Sequence, residues 1–87
     1  MSHNYVITFS RSARKELQRL EVVMARRVIA KVEALAAEPR PRGCRKIRGA
    51  HELWRLRVGE YRVVYAVDDS DRVVDVIAVR PRRDVYR

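Results

Sequence analysis

The sequence predicts an α+β fold, an N-terminal strand followed by a two-helix hairpin packed on one face of a mainly antiparallel sheet. Three observations carry that expectation. Tyr5–Phe9 alternates and is rich in β-formers. Apolar residues then recur at helical spacing from Ala13 to Ala36. From Leu53 to Arg80 the period is two, broken only by two turn-like segments. Strand, helices and then a meander is a plan in which helices cover one sheet face and leave the other open.

Each element has a local reason. Ser10 follows the first strand as an N-cap, and Ala13, Leu17 and Leu20 form the apolar stripe of a short helix with Arg14, Lys15 and Arg19 outside. A longer helix spans 22–37 on Ala25, Val28, Ile29, Val32, Leu35 and Ala36, with the boundary between the helices near Leu20–Val22. Pro39 and Pro41 end it, because proline lacks the N–H that a helix interior uses. A basic connector over 40–52 is expected to hold a short strand at Arg45–Arg48.

Leu53 to Tyr65 reads as a β-hairpin. Gly59-Glu60 fits a two-residue type II′ turn, which needs glycine in its first central position. That turn fixes the register: Val58 opposite Tyr61, Arg57 opposite Arg62, Leu56 opposite Val63, Trp54 opposite Tyr65. One face is then apolar, with Trp54 and Tyr65 toward the helices, and the other carries Arg55, Arg57 and Arg62. Asp68–Asp71 is a polar turn into a third strand at Arg72–Arg80. Simple pairing across it predicts Tyr65 opposite Val74, Val63 opposite Val76 and Arg62 opposite Ile77. Arg62 is thereby placed on the middle strand, outside the apolar core.

Composition narrows the classes. Eighty-seven residues make one domain, 1–87, able to bury about 60% of its unfolded surface. A hydrophobic fraction of 47% argues against disorder. No apolar run reaches the length of a membrane span, and the N-terminus lacks the layout of a signal peptide. The single Cys44 excludes an internal disulfide and a zinc cluster. A cytoplasmic location is expected. His3 and His51 are isolated, Asp68, Asp69 and Asp71 lack the glycine and closing glutamate of a calcium loop, and neither a metal nor a cofactor is expected. Nucleophile-elbow and glycine-rich phosphate-loop motifs are missing as well.

Charge carries the functional signal. The net charge is +9, from 20 basic residues of which only Lys15, Lys31 and Lys46 are lysine. Residues 40–62 contribute +6 and residues 80–87 contribute +3, while the rest of the chain cancels. Arginine is the residue for bidentate phosphate recognition, and like charges placed opposite on a sheet are destabilising. A converging set of arginines therefore suggests a site for a polyanion. Arg55, Arg57 and Arg62, with Arg82, Arg83 and Tyr86 from the tail, are the candidates. In RNA cleavage the 2′-hydroxyl attacks the adjacent phosphorus, and preorganised cations stabilise the charged oxyphosphorane. The usual histidine or glutamate base is missing. Tyr86 is the substitute if flanking arginines lower its pKa; otherwise it is a stacking platform.

These segments resemble the RelE side of the RelE/ParE toxin superfamily over nearly the whole chain. The residues that carry the resemblance are Tyr5–Phe9, Leu35-Ala-Ala-Glu-Pro39, Lys46-Ile-Arg-Gly49, Leu53-Trp-Arg-Leu-Arg57, Gly59-Glu-Tyr-Arg-Val-Val-Tyr65 and Arg82-Arg-Asp-Val-Tyr86. The resemblance implies a RelE-like microbial RNase fold and the toxin of a type II toxin–antitoxin system. It also implies a ribosome-dependent endoribonuclease that cuts mRNA in the decoding site. By resemblance Arg62, Arg82 and Tyr86 are catalytic, and Arg45, Lys46, Arg48, Arg55, Arg57 and Arg83 bind RNA or the ribosome. Arg55 and Arg57 stand where the family often has lysine, which keeps charge but removes acid–base capacity. An acidic antitoxin, the ribosome and mRNA are the implied partners, with a toxin–antitoxin hetero-oligomer and no membrane. A ParE-like inhibitor of DNA gyrase and a non-catalytic nucleic-acid-binding domain remain as alternatives.

Overall fold

Alternation and turn chemistry produce the sheet, and helix capping ties the helices to it. The computed structural model describes residues 4–47, 49 and 52–82. Its elements are β1 (Val6–Phe9), α1 (Arg11–Gln18), α2 (Val22–Ala34), β2 (Arg45–Lys46), β3 (Leu53–Val58), β4 (Tyr61–Asp68) and β5 (Val73–Pro81). The strands form one five-stranded sheet in the order β1-β5-β4-β3-β2, with β1 parallel to β5 and the other pairs antiparallel. Two helices cover one face, and the predicted α+β architecture is observed. No helix among the described residues is long and apolar enough to cross a membrane.

The hairpin register is the one its turn dictates, from Val58↔Tyr61 through Arg57↔Arg62 to Trp54↔Tyr65. Gly59 sits at φ +58°, and a Cβ there would meet Met24 Cε at 3.2 Å and an Arg27 nitrogen at 3.3 Å. The positive φ favours glycine at that turn, and a side chain there would also have to displace the tips of Met24 and Arg27 on α2. The core lies between this face and the helices, with Val28, Val32, Leu35, Val63, Tyr65, Val74 and Val76 as its largest fully buried side chains. The Tyr65 hydroxyl donates to the Pro39 carbonyl at 2.8 Å. Trp54 is half-buried against this core, with the Arg40 guanidinium 5.2 Å from its ring centroid. Ile29 departs from expectation, since it is 37% exposed. It lies about 100° around the helix from Val28, beyond the inward stripe of Val28, Val32 and Leu35.

The third strand pairs differently from the simple prediction. Tyr65 lies opposite Val76, Val63 opposite Val79, and Arg62 opposite Arg80, with an irregularity at Val64/Tyr65 on the β4 side that leaves Ile77 as the extra residue. Two causes combine. The β4–β5 turn closes at Asp68↔Val73, with Arg72 at φ +56° and the Asp71 N–H held by Asp68 Oδ1 at 3.0 Å. The bulge then inserts one residue, which changes the pairing of everything beyond it.

Helix α1 stabilises that bulge. The Ser10 hydroxyl accepts from the Ala13 N–H as N-cap and donates to the Ile77 carbonyl at 2.9 Å. Past the end of β1, the Val79 N–H donates to Glu16 Oε1 at 2.8 Å, and Arg80 Nε donates to Glu16 Oε2 at 2.9 Å. Two side chains of one helix therefore satisfy edge groups of β5 that a longer β1 would have paired.

A cationic groove as candidate active site

The turn at Gly59-Glu60 determines which residues meet. A two-residue hairpin closes on a hydrogen-bonded pair, so Val58–Tyr61 and Leu56–Val63 are hydrogen-bonded and Arg57–Arg62 between them is not. Non-hydrogen-bonded pairs bring their side chains closest, with Cα atoms about 4.5 Å apart. The bulge adds Arg80 on the far side of Arg62. Three arginines thus stand in one row across three strands. Glu16 draws the outermost of them, Arg80, toward α1.

Arg62, in the middle, is only 9% exposed. The open-face expectation is corrected on this point: the neighbouring strands enclose its stem on both sides, and the residue is part of the buried set. The chain then returns to the row, because the Arg82 N–H donates to the Glu60 carbonyl at 2.9 Å and pins Arg82 beside the hairpin turn. Arg82 Nε is buried and has no hydrogen-bond acceptor among the described residues.

A groove of about 570 Å³ opens at this place. Of the sequence-predicted residues it brings together Arg45, Arg55, Arg57, Arg62 and Arg82. Lys46 does not join them, because it pairs with Trp54 and so points to the other side of the sheet from Arg45 and Arg55. Tyr86, Arg83 and Arg48 lie outside the described residues, as do His3 and His51. Two lining cations escaped the sequence reading, Lys31 from α2 and Arg42 from the connector. Leu56 and Gly43 complete the lining, which holds no carboxylate among the described residues. An acceptor-rich anion is the chemistry such a wall accommodates.

The acidic turn at the opposite end of the sheet is paired. Asp69 accepts from the Tyr5 hydroxyl at 2.6 Å and from both terminal nitrogens of Arg40 at 3.2 and 2.8 Å. The Arg40 and Tyr5 hydrogen bonds hold the Asp69 carboxyl below its ordinary range, and the same carboxylate raises the Tyr5 phenol. At Tyr65 burial pushes the phenol up, so it stays a neutral donor.

The fold and the groove together define a small toxin-like domain, and comparison with known proteins gives the family. Residues 7–86 match the family described as ParE toxin of type II toxin-antitoxin system, parDE. Toxin RelE of Mycobacterium tuberculosis is 34% identical over 86 residues, covering 98% of this chain and 89% of the relative. The RelE chain of an archaeal RelE–RelB complex from Pyrococcus horikoshii superposes with a TM-score of 0.81 at 32% identity, over 91% of this chain and 96% of that one. Isolated RelE of Escherichia coli gives 0.79 at 30% identity, over 94% and 90%. The chain belongs to the RelE/ParE family of type II toxin–antitoxin toxins and is of the RelE type.

Proposed function

We propose that this protein is a ribosome-dependent endoribonuclease that cleaves mRNA in the decoding site. The observation that carries the reading is the groove, in which Arg57, Arg62 and Arg82 converge. In the reaction the 2′-hydroxyl loses its proton and attacks the adjacent phosphorus, the bond to the 5′-oxygen breaks, and that oxygen takes up a proton. Charge accumulates on the phosphoryl oxygens. Arg62, with its stem buried, donates there from a site of reduced dielectric, where a fixed cation acts most strongly. Arg82, pinned to Glu60, is a second donor to the same charge. Guanidinium holds its proton too firmly to act as a base, so proton transfer falls to Tyr86, in line with the RelE resemblance. Arg45, Arg55 and Arg57 hold the RNA or ribosomal backbone, assisted by Arg83, Arg48 and Lys46.

An arginine groove stabilises a transition state but does little to align the 2′-hydroxyl, and alignment of this kind is worth several kcal/mol. The ribosome supplies it. In the cytoplasm the partner is an acidic antitoxin, a proposal supported by RelE chains crystallised with RelB from Pyrococcus horikoshii and Escherichia coli.

Single-turnover cleavage of mRNA on programmed ribosomes, compared with the same mRNA free in solution, tests the reading. Efficient cutting on ribosomes and negligible cutting of free RNA are expected. Equal rates on both would remove the ribosome from the mechanism. Inhibition of DNA gyrase supercoiling without any RNA cleavage would select the ParE-like reading instead.

A further inference from the structure

The groove extends beyond the residues the reaction needs, and its extension has a construction of its own. The Ile47 N–H donates to the Leu53 carbonyl at 2.9 Å. Antiparallel alternation then directs the backbone groups of Leu53, Arg55 and Arg57 toward the β2 side. But β2 consists only of Arg45 and Lys46, opposite Arg55 and Trp54. In continued register Gly43 would face Arg57. Instead the connector turns away there, with the Cys44 N–H bonded to the Pro41 carbonyl at 3.1 Å. Among the described residues no strand lies beside Arg57 on that edge. Gly43 stands at φ +98° with nothing within 4 Å of where a Cβ would be. The result is an open gap at a sheet edge, with an amide directed into it.

Lys31 from α2 and Arg42 from the connector line the groove together with Gly43 and Arg57. A lysine in the last turn of a helix is ordinarily explained by the helix dipole. The dipole does not explain its convergence with Arg42 around an open glycine and a free strand edge. Backbone amides at a sheet edge flanked by cations form an anion site. We propose that this gap is a subsite for a backbone phosphate of single-stranded RNA next to the phosphate that reacts, held by Lys31, Arg42 and the edge amide of Arg57. The proposal rests on the ribonuclease reading for its ligand. It adds a grip on the flanking nucleotide, outside the reacting centre.

The probe is a short 2′-O-methyl oligoribonucleotide, which lacks the attacking hydroxyl and so reports binding alone. Its affinity for the intact chain is measured across a salt series, with melting curves confirming that each variant is folded. Lys31→Ala and Arg42→Ala are each expected to weaken binding several-fold at low salt. Each should also reduce the slope of log K against log salt by about 0.7, the value for one single-strand phosphate contact. Lys15→Ala, an equal loss of charge on exposed α1, is expected to leave the slope at wild type. In ribosomal cleavage the Lys31 and Arg42 variants should lose more in KM than in kcat. Unchanged slopes, an equal effect from Lys15→Ala, or a wild-type chain that does not hold the probe would each overturn the subsite. If the slopes respond but no RNA is cut on ribosomes, the ribonuclease reading fails and the phosphate subsite stands.

Discussion

Arg62 concentrates the problem this molecule solves. It is the middle of an arginine row, opposite Arg57 on one side and Arg80 on the other, and it is buried. Its membership of the row's Arg57 end was legible from the Gly59-Glu60 turn, because a two-residue turn leaves no freedom of register. Its burial and its Arg80 neighbour were not legible, since both depend on a bulge that no local sequence signal marks. Arg62→Ala should reduce single-turnover cleavage by about 10²–10³-fold, the scale of a lost oxyanion donor. Because the arginine stem packs among neighbours, a lower melting temperature is expected too, so Arg62→Lys belongs in the same experiment. Lysine keeps charge and stem but not the planar fork, and a folded Arg62→Lys chain with wild-type rate would exclude the donor role. Tyr65 offers a contrast at the same scale, as its hydroxyl serves structure only. Tyr65→Phe should cost about 0.5–1.5 kcal/mol in urea unfolding for the lost bond to Pro39 and leave cleavage unchanged.

Elements with a short-range cause were readable, namely the N-capped α1, the proline-ended α2 and the hairpin. The parallel β1–β5 pair was not, because its partners lie 67 positions apart at Thr8 and Asp75 and alternation gives no partner. The substitution of α1 for a missing strand was equally hidden. It makes Glu16 an element-scale test. Glu16→Ala leaves the Val79 amide without its acceptor and frees Arg80, so a loss of about 1–3 kcal/mol is expected, measured by denaturant unfolding. A wild-type midpoint would show that water replaces the carboxylate. At the other end, Asp69 ties the segment before β1 and the connector to the β4–β5 turn. Its lowered pKa stabilises the fold above the unfolded carboxylate range and ceases to as pH falls through the folded value. The raised Tyr5 phenol contributes below pH ~10 and is lost as pH rises through its folded value. Stability should therefore fall on both sides, and Asp69→Asn should flatten the acid limb in a pH series of melting temperatures.

At the scale of the whole molecule, the net charge of +9 is unevenly placed. Cations converge near the Gly59 turn, and Asp68, Asp69 and Asp71 gather at the opposite end of the same strands. That the surplus lies on the hairpin and its flanks was visible in the sequence. That Lys31 and Arg42 join it was not, since helix and connector meet the sheet edge only in three dimensions. Cations crowded into one groove repel one another at a cost in stability to the free chain, and salt screens that repulsion, with a Debye length of about 10 Å at 0.1 M. Adding salt should therefore raise the melting temperature of the isolated protein at low ionic strength. Arg57→Gln, which removes one member of the directly opposed Arg57–Arg62 pair while keeping most of its stem, should raise the starting value and reduce the salt dependence. An acidic antitoxin that binds the folded chain and not the unfolded one should act in the same direction and further, and its association should slow as salt is added. Differential scanning calorimetry across a salt series checks the first two expectations, and stopped-flow mixing with the antitoxin checks the last. A melting temperature that falls with salt in wild type and rises in Arg57→Gln would mean that the arginine row is compensated within the chain. The drive to bind a polyanion would then have to come from elsewhere on the surface.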